Sequence, residues 1–398
     1  MTRILRRIIP IIAENLLKNM KGAIITHPGL EAVSGKELKE LIGVDCTLKR
    51  SVALFDTKKL EDLCTLCYRS QSAIKVMHLF ATIAAKDLEQ AIDEIKLLDI
   101  SEWIKGRKFV VRCKIVDNDM FDTMETEREV GGAIYDKYNE KSGATVDLEN
   151  PEVTFYVYVC GDDLYFGVDF AGFDLSKRSY RVFALADSVK ATVAYSLVRL
   201  GGFKEGMLML DPFTHSGVVT IEAALYACKK PVGFYNKDKF AFMSLPQLKD
   251  MDFDAFFAKH DDGLHDIKGI TASDSQQRFV RSAEKNAKIA GINKQITFTR
   301  MDVEWLDTKF EKQTVDRIIS NPPKVSRLLT EKGLEKVFQE LFYVAEFVLK
   351  PEGRVVLLAK SYQQILNHAQ RHHFHLTANF KVMQGKEDFS ILIFEKEK

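Results

Sequence analysis

In the second half of the chain, short apolar runs alternate with longer stretches whose apolar residues recur every three or four positions. The runs fall at 207–210, 269–272, 296–300, 315–320 and 354–359. Runs of this length rich in Leu, Ile, Val and Ala read as buried strands, and the three-and-four spacing between them reads as helices covering those strands. Repeated strand-then-helix order predicts parallel strands with crossover helices, a doubly wound, Rossmann-like α/β sheet. Residues 380–383 and 390–395, joined through Gln384, Gly385 and Lys386, add a terminal antiparallel hairpin.

The first half has a different rhythm. Strand-like runs at 23–26, 51–55 and 74–80 are separated by helical spacing at Leu30, Val33, Leu38 and Leu41 and again over 59–68, which predicts a β-α-β-α-β layer of α+β type. Beyond it, 88–98 and 129–138 read as helices and 109–115 as an alternating strand, while 153–159 and 164–168 flank Gly161, Asp162 and Asp163 as a hairpin. Three regions are expected: 1–84, 85–182 and 183–398.

Composition narrows the class. Charged residues make up 28% and hydrophobic ones 46% of the 398 residues, the balance of a folded globular protein. With 57 Lys and Arg against 56 Asp and Glu, any nucleic-acid site is a local patch. Six cysteines are too sparse for a disulfide framework, so a reducing, cytoplasmic setting is expected, with Cys64 and Cys67 as buried structural thiols. Arg3, Arg6 and Arg7 precede an apolar stretch that Pro10 and Glu14 cut short, so the start reads as a basic extension and not a signal peptide, with an organellar presequence as the alternative. No membrane association is expected, since no uncharged apolar stretch reaches the length of a spanning helix. His368 and His372 have the i, i+4 spacing of metal ligands, but no carboxylate or cysteine completes a set, so a solvated helix end is expected and no metal.

In a doubly wound sheet, ligands sit beyond the carboxyl ends of the strands. After the first strand comes Asp211-Pro212-Phe213-Thr214-His215-Ser216-Gly217. No Gly-x-Gly-x-x-Gly lies near it, which disfavours a dinucleotide pyrophosphate site, and a carboxylate there favours an amino-bearing ligand. Gly217 is expected to let the backbone approach that ligand closely. Asp274 follows the second strand and suits ribose hydroxyls; Asp302 follows the third and suits an exocyclic amine. Each also reads as an ordinary helix cap. After the fourth strand, Asn321-Pro322-Pro323 fixes the backbone so that carbonyls and the Asn321 side-chain oxygen form a set of acceptors for an amino group, though taken alone the motif reads first as a rigid turn after a buried strand. Lys177, Arg178 and Arg181 surround Tyr180, a cluster suited to phosphates with a ring for an unpaired base, or equally to a solvated linker.

These residues resemble class I S-adenosylmethionine-dependent methyltransferases of the amino-methylating branch, with motifs Asp-Pro-x-Cys-Gly-Ser-Gly and Asn-Pro-Pro-Tyr or Asn-Pro-Pro-Phe. The whole chain is similar to the THUMP-containing RNA methyltransferases, which place an N-terminal ferredoxin-like domain and a THUMP domain before the catalytic one. Thr26-His27-Pro28-Gly29-Leu30-Glu31, Asn150-Pro151-Glu152-Val153 and the stretch from Gly172 to Arg181 carry the likeness further. The resemblance implies a cofactor, S-adenosylmethionine, held by Asp211, Pro212, Thr214, Ser216 and Gly217 at its methionine part, Asp274 at its ribose and Asp302 at its adenine. It implies catalysis by Asn321, Pro322 and Pro323 acting on an exocyclic base amine, guanine N2 of a tRNA. It also implies that the second region holds the acceptor end of tRNA, with Lys177, Arg178, Tyr180, Arg181 and Lys324 as RNA contacts.

Three positions depart from the motifs. His215 stands where the family has glycine, at a cost of roughly 1 kcal/mol or more if φ is positive there. Lys324 replaces an aromatic residue, and Thr214 replaces cysteine. A second reading therefore stands beside the enzyme: an RNA-binding protein of the same architecture without catalysis, supporting a protein partner.

Overall fold

The computed structural model describes residues 20–397 except 186, 187, 328, 361, 385 and 386. The basic extension, and Gly385 and Lys386 of the hairpin turn, lie outside the described residues. The chain forms two compact units. One contains Ser34–Leu175 and Asn236–Lys259 with the strand before them; the other contains His27–Val33, Ser176–Tyr235 and the chain from His260 onward.

The first unit is built on one eight-stranded sheet. Its strands are β1 (Met20–Ile25), β2 (Cys46–Lys49), β3 (Val52–Thr57), β4 (Lys75–Ala84), β5 (Lys108–Val116), β6 (Thr145–Val146), β7 (Val153–Cys160) and β8 (Asp163–Asp169), in the order β2-β3-β1-β4-β8-β7-β5-β6. Helices α1 (Glu31–Ile42), α2 (Leu60–Arg69), α3 (Leu88–Leu97), α4 (Ser101–Ile104) and α5 (Thr123–Ser142) lie between them in sequence. The expected boundary at 84/85 is thus no break between compact units, because β4 pairs antiparallel with β8 from Met77↔Asp169 to Ala84↔Asp163. Alternation reveals a strand but not its partner. Gly167 is needed at this seam: a Cβ there would sit 2.1 Å from the His78 carbonyl oxygen, beside the bulge between Leu79 and Ala81. Strand β2 was not anticipated, since its mostly exposed side chains carry no alternation.

One buried carboxylate of this unit is satisfied by a turn. Glu37 of α1, 4% exposed, accepts hydrogen bonds from Ser70 Oγ (2.6 Å), Gln71 N–H (2.8 Å), Ser72 N–H (3.0 Å) and Ser72 Oγ (2.5 Å). Cys64 and Cys67 are fully buried in α2, and burial pushes both thiols upward, as expected of structural cysteines. Residues 236–259, expected in the third region, belong to this unit: Phe257 packs 4.9 Å from Tyr68, and Phe240 stacks on Phe242 at 4.9 Å.

The second unit carries β9 (Met209–Asp211), β10 (Ile270–Asp274), β11 (Ile296–Arg300), β12 (Val315–Ser320), β13 (Leu349–Ala359), β14 (Phe374–Gln384) and β15 (Glu387–Lys396). Their order is β11-β10-β9-β12-β13-β15-β14, parallel through β13 and antiparallel for the last two, as the sequence pattern predicts. Helices α6 (Ala191–Leu200), α7 (Val218–Ala227), α8 (Phe253–Asp261), α9 (Gln277–Ile289), α10 (Glu331–Val348) and α11 (Gln363–Arg371) complete the chain, with most of α8 grouped in the first unit. Strand alternation sorts the core by face. Met209, Ile319, Val356 and Ile391 pack with α6, α7 and α9, whereas Leu210, Ile318, Val355 and Leu392 pack with α10 and α11. His368 is buried in α11, not on a solvated helix end, because its position falls on the face that packs into this second cluster. His372 lies 3.3 Å from Glu346, and among the described residues no three His, Cys, Asp or Glu side chains converge.

Replacing Glu37 by Ala leaves four donors in the 70–72 turn without their acceptor, so Glu37→Ala is expected to cost about 3 kcal/mol. Urea denaturation measures it; a loss below about 1 kcal/mol contradicts the role given to this carboxylate.

Candidate active site at the switch point of the second sheet

The chain of the second unit builds β9, β10 and β11 outward in one direction and then returns to place β12 on the other side of β9. That reversal opens a crevice between the carboxyl ends of β9 and β12, where open α/β sheets bind ligands. Asp211 is the last residue of β9 and Ser320 the last of β12. Ser320 Oγ donates to Asp211 Oδ1, and the Phe213 N–H donates to the same oxygen at 3.3 Å. Asp211 Oδ2, in a residue only 1% exposed, has no hydrogen-bond partner among the described residues. Burial, and secondarily the nearby Asp274 charge, push the Asp211 carboxyl up to about 7, against the pull of the Ser320, Phe213 and Thr214 donors. A buried carboxyl oxygen with open lone pairs is a seat for a cationic or N–H-bearing group.

The loop after Asp211 is fastened to β10. The Thr214 N–H donates to the Ser273 carbonyl at 2.9 Å, and the His215 N–H donates to Asp274 Oδ2 at 3.1 Å. Asp274 Oδ1 accepts from the Gln276 N–H at 3.0 Å; burial raises this carboxyl also. Each oxygen keeps a lone pair for a hydroxyl donor. His215 has φ +48°, the left-handed backbone that the family's glycine would adopt without strain, and its ring packs 5.6 Å from Phe279. Ser216 Oγ shares a hydrogen bond with Ser188 Oγ at 2.8 Å. Asn321 and Pro322 are buried at the end of β12. Ser188, Asp211, Thr214, His215, Ser216 and Asn321 line one cavity. Asp302 is exposed, just ahead of the 3-10 turn Val303–Thr308.

Other assignments need correction. Gly217 does approach something closely, but a Cβ on it would meet Ala283 Cβ of α9 at 2.8 Å with φ at +82°, so helix packing accounts for the glycine. Arg178 and Tyr180 are not RNA contacts in this structure. Arg178 Nε lies 3.1 Å and the Tyr180 hydroxyl 2.8 Å from Glu222 Oε1 in α7, and all three side chains are buried. The cluster looked exposed in sequence because its counter-charge lies more than 40 residues away. The Arg181 guanidinium donates to Ser188 Oγ at 3.2 Å, Lys177 is exposed, and Lys324 Nζ lies over the Phe389 ring at 4.8 Å. The whole 176–181 stretch belongs to the second unit and not to the region ending at 182.

Ser320 and Asn286 went unnoticed in the sequence. Asn286, fully buried in α9, donates from Nδ2 to the Ser216 carbonyl at 2.9 Å and so braces the loop. Asn286 carries a signal visible afterwards: a polar residue on the helix face that buries Val280, Ala283 and Ala287.

Residues 178–389 match the family model described as RMKL-like, methyltransferase domain. The chain belongs to this family. Residues 85–169 match the THUMP domain model. The RMKL-like domain and its THUMP segment are similar over most of their length to a tRNA (guanine(6)-N2)-methyltransferase of Methanocaldococcus jannaschii, 27% identical over 370 residues, 90% of this chain and 95% of that protein. Among solved structures, TrmN from Thermus thermophilus is 25% identical with a TM-score of 0.68, covering 95% of this chain and 99% of that one. SMU.472, solved in complex with SAH, shares the fold at a TM-score of 0.80 and 23% identity, covering 96% of this chain and 99% of that one.

The raised Asp211 carboxyl fixes a sign. Its folded value is about 7 against an ordinary 3.8, so between those pH values the unfolded chain has released its proton while the folded chain retains it. Asp211 therefore subtracts stability increasingly as pH rises from about 4 to 7. Asp211→Asn keeps the shape without the charge, so relative to the parent it is expected to gain more stability at about pH 8 than at about pH 4. Urea midpoints at both pH values measure this; an identical difference at the two contradicts it.

Proposed function

We propose that this methyltransferase transfers a methyl group from S-adenosylmethionine to an exocyclic amine of a base in tRNA, specifically guanine N2. The observation that carries the reading is the buried, unpartnered Asp211 Oδ2 at the end of β9, with Asn321 lining the same cavity. That pair supplies a seat for the cofactor's ammonium and acceptors for the amine that receives the methyl. The cofactor itself, when bound, supplies an electrophilic methyl on a sulfonium.

This chain's residues do the rest by positioning. Asp211, with Pro212, Thr214, Ser216 and the turn at Gly217, borders the methionine part; Asp274 accepts from the ribose and Asp302 from the adenine amine. The Asn321 side-chain oxygen and the neighbouring carbonyl, fixed by Pro322 and Pro323, accept the hydrogens of the target amine and aim its lone pair. An exocyclic base amine is a weak nucleophile because its lone pair is delocalised into the ring; acceptors that draw the hydrogens out of plane relieve this, so no strong general base is required. A base extruded from its stack reaches such a site, which also excludes water. Lys324, held against Phe389, lies three residues beyond Asn321 and offers its stem and charge at the edge of the site.

The relative's activity on guanine N2 of tRNA and the THUMP match support RNA as the substrate class. We assign the tRNA acceptor end to the segment 85–169 and the protein to the cytoplasm; among the described residues no helix is long and apolar enough to cross a membrane.

Asn321→Ala is expected to lower the rate of methyl transfer to tRNA on the order of 100-fold, the scale of removing one aligned transition-state acceptor, with cofactor affinity changed only a few-fold. Asp211→Ala is expected to abolish measurable cofactor binding. Radiolabelled methyl transfer and calorimetry separate the two; an Asn321→Ala protein that transfers at the parental rate contradicts the assignment.

A further inference from the structure

With Arg178 and Tyr180 withdrawn into a buried cluster with Glu222, the second unit needs another surface if it is to hold a polyanion, and helix α9 presents one. Its exposed residues include Arg278, Arg281, Lys285 and Lys288, spaced i, i+3, i+7 and i+10. At 3.6 residues per turn these four fall within an arc of about 80°, and along the axis they extend about 15 Å in steps of about 5 Å. They form one stripe, with Val280, Ala283 and Ala287 buried on the opposite side of the helix.

What distinguishes the stripe from an ordinary solvated face is the succession of four exposed cations along one side of one helix with no carboxylate paired to them. Some surface cations of this protein are matched with carboxylates, as in Lys39–Asp45, Arg50–Asp117, Lys108–Asp147, Arg128–Glu129, Lys336–Glu304 and Lys360–Glu387. None of the four α9 cations forms an ion pair among the described residues, even with Glu284 on the same helix. In a protein of net charge +1, four unmatched cations in a row are a local field.

A second feature lies beside it. Phe183 is 38% exposed, and its ring sits 4.8 Å from Lys285 Nζ. Its backbone is clamped to α9 at both polar atoms: the Phe183 N–H donates to Asn286 Oδ1 at 3.0 Å, and Asn286 Nδ2 donates to the Phe183 carbonyl at 3.2 Å. A fixed, exposed ring next to a row of cations is the combination that binds single-stranded nucleic acid, by stacking on a base while the cations follow the phosphates. Helix α9 itself also adjoins the site described above, because its Phe279 packs on His215 and its Asn286 holds the Ser216 carbonyl.

We propose that the exposed face of α9, with Phe183, is an RNA-binding track on which phosphates of an unpaired substrate segment lie along Arg278, Arg281, Lys285 and Lys288 while a base stacks on Phe183. The proposal rests on the reading of this protein as a tRNA methyltransferase and adds where, on the catalytic unit, the strand is held.

The test is the salt dependence of tRNA binding by the full chain. Replacing all four cations by Gln, a good helix former, is expected to reduce the slope of log affinity against log salt by about 3, since each phosphate the protein no longer neutralises removes about 0.7 to 0.9 from the slope. Affinity for S-adenosylmethionine and the melting temperature should remain as in the parent, which shows that the fold and cofactor cavity are intact. Phe183→Ala is expected to weaken RNA binding with the slope unchanged. A four-site variant with the parental slope and affinity overturns the proposal while leaving the methyltransferase reading in place. A parent that binds tRNA but methylates none overturns that reading, and the slope comparison still decides the track. A parent that binds no tRNA overturns both.

Discussion

The hydrogen bond from Ser320 Oγ to Asp211 Oδ1 joins the ends of two strands that are adjacent in the sheet and more than 100 residues apart in the chain. It fixes one oxygen of a carboxyl group that is otherwise removed from water, and leaves the other without a partner. A buried carboxyl in this state disfavours its charged form, which is why Asp211 holds its proton to about pH 7. Such an arrangement lowers the stability of the isolated protein. Its persistence makes sense as preorganisation: the cofactor's ammonium finds a fixed acceptor in a site of low dielectric, where the attraction is strongest.

The remainder of the site is arranged around that group through the backbone. Asp274 receives two main-chain N–H groups, from His215 and Gln276, and so sets the course of the loop as well as facing the crevice. His215 illustrates what this demands. It keeps φ at +48° although it has a side chain, so the loop has the conformation that glycine would supply, at a cost of roughly 1 kcal/mol. The departure from the family motif therefore changes strain and leaves the path of the main chain intact, which removes the main structural argument for a protein without catalysis.

Much of this was legible in the sequence because it depends on local order. The alternation of apolar runs with helical spacing specifies the parallel sheet, and the parallel sheet dictates that Asp211, Asp274 and Asn321 stand at one edge. What sequence concealed was long-range pairing. The counter-charge for Arg178 lies in α7, the strand partner of β4 is β8, and the phenylalanines of residues 236–259 pack on Tyr68 in the first unit, neighbours that no local pattern encodes. Lys177, Arg178 and Arg181 looked like a phosphate site because three cations around a ring are locally indistinguishable from one. The unmatched stripe on α9 is spread over four positions at helical spacing and is read only once the helix and its missing counter-charges are seen together.

The central claim is that Asp211 is kept buried and unpartnered to receive the cofactor's ammonium. The most direct measurement is the pH dependence of S-adenosylmethionine affinity by calorimetry between about pH 5 and pH 8, with Asp211→Asn in parallel. The account predicts affinity rising by close to tenfold per pH unit up to about 7 and levelling above it, as binding requires the proton to leave Asp211, with the dependence lost in the Asn variant. Affinity that is flat across the range in the parent, or a dependence that survives in Asp211→Asn, would contradict it.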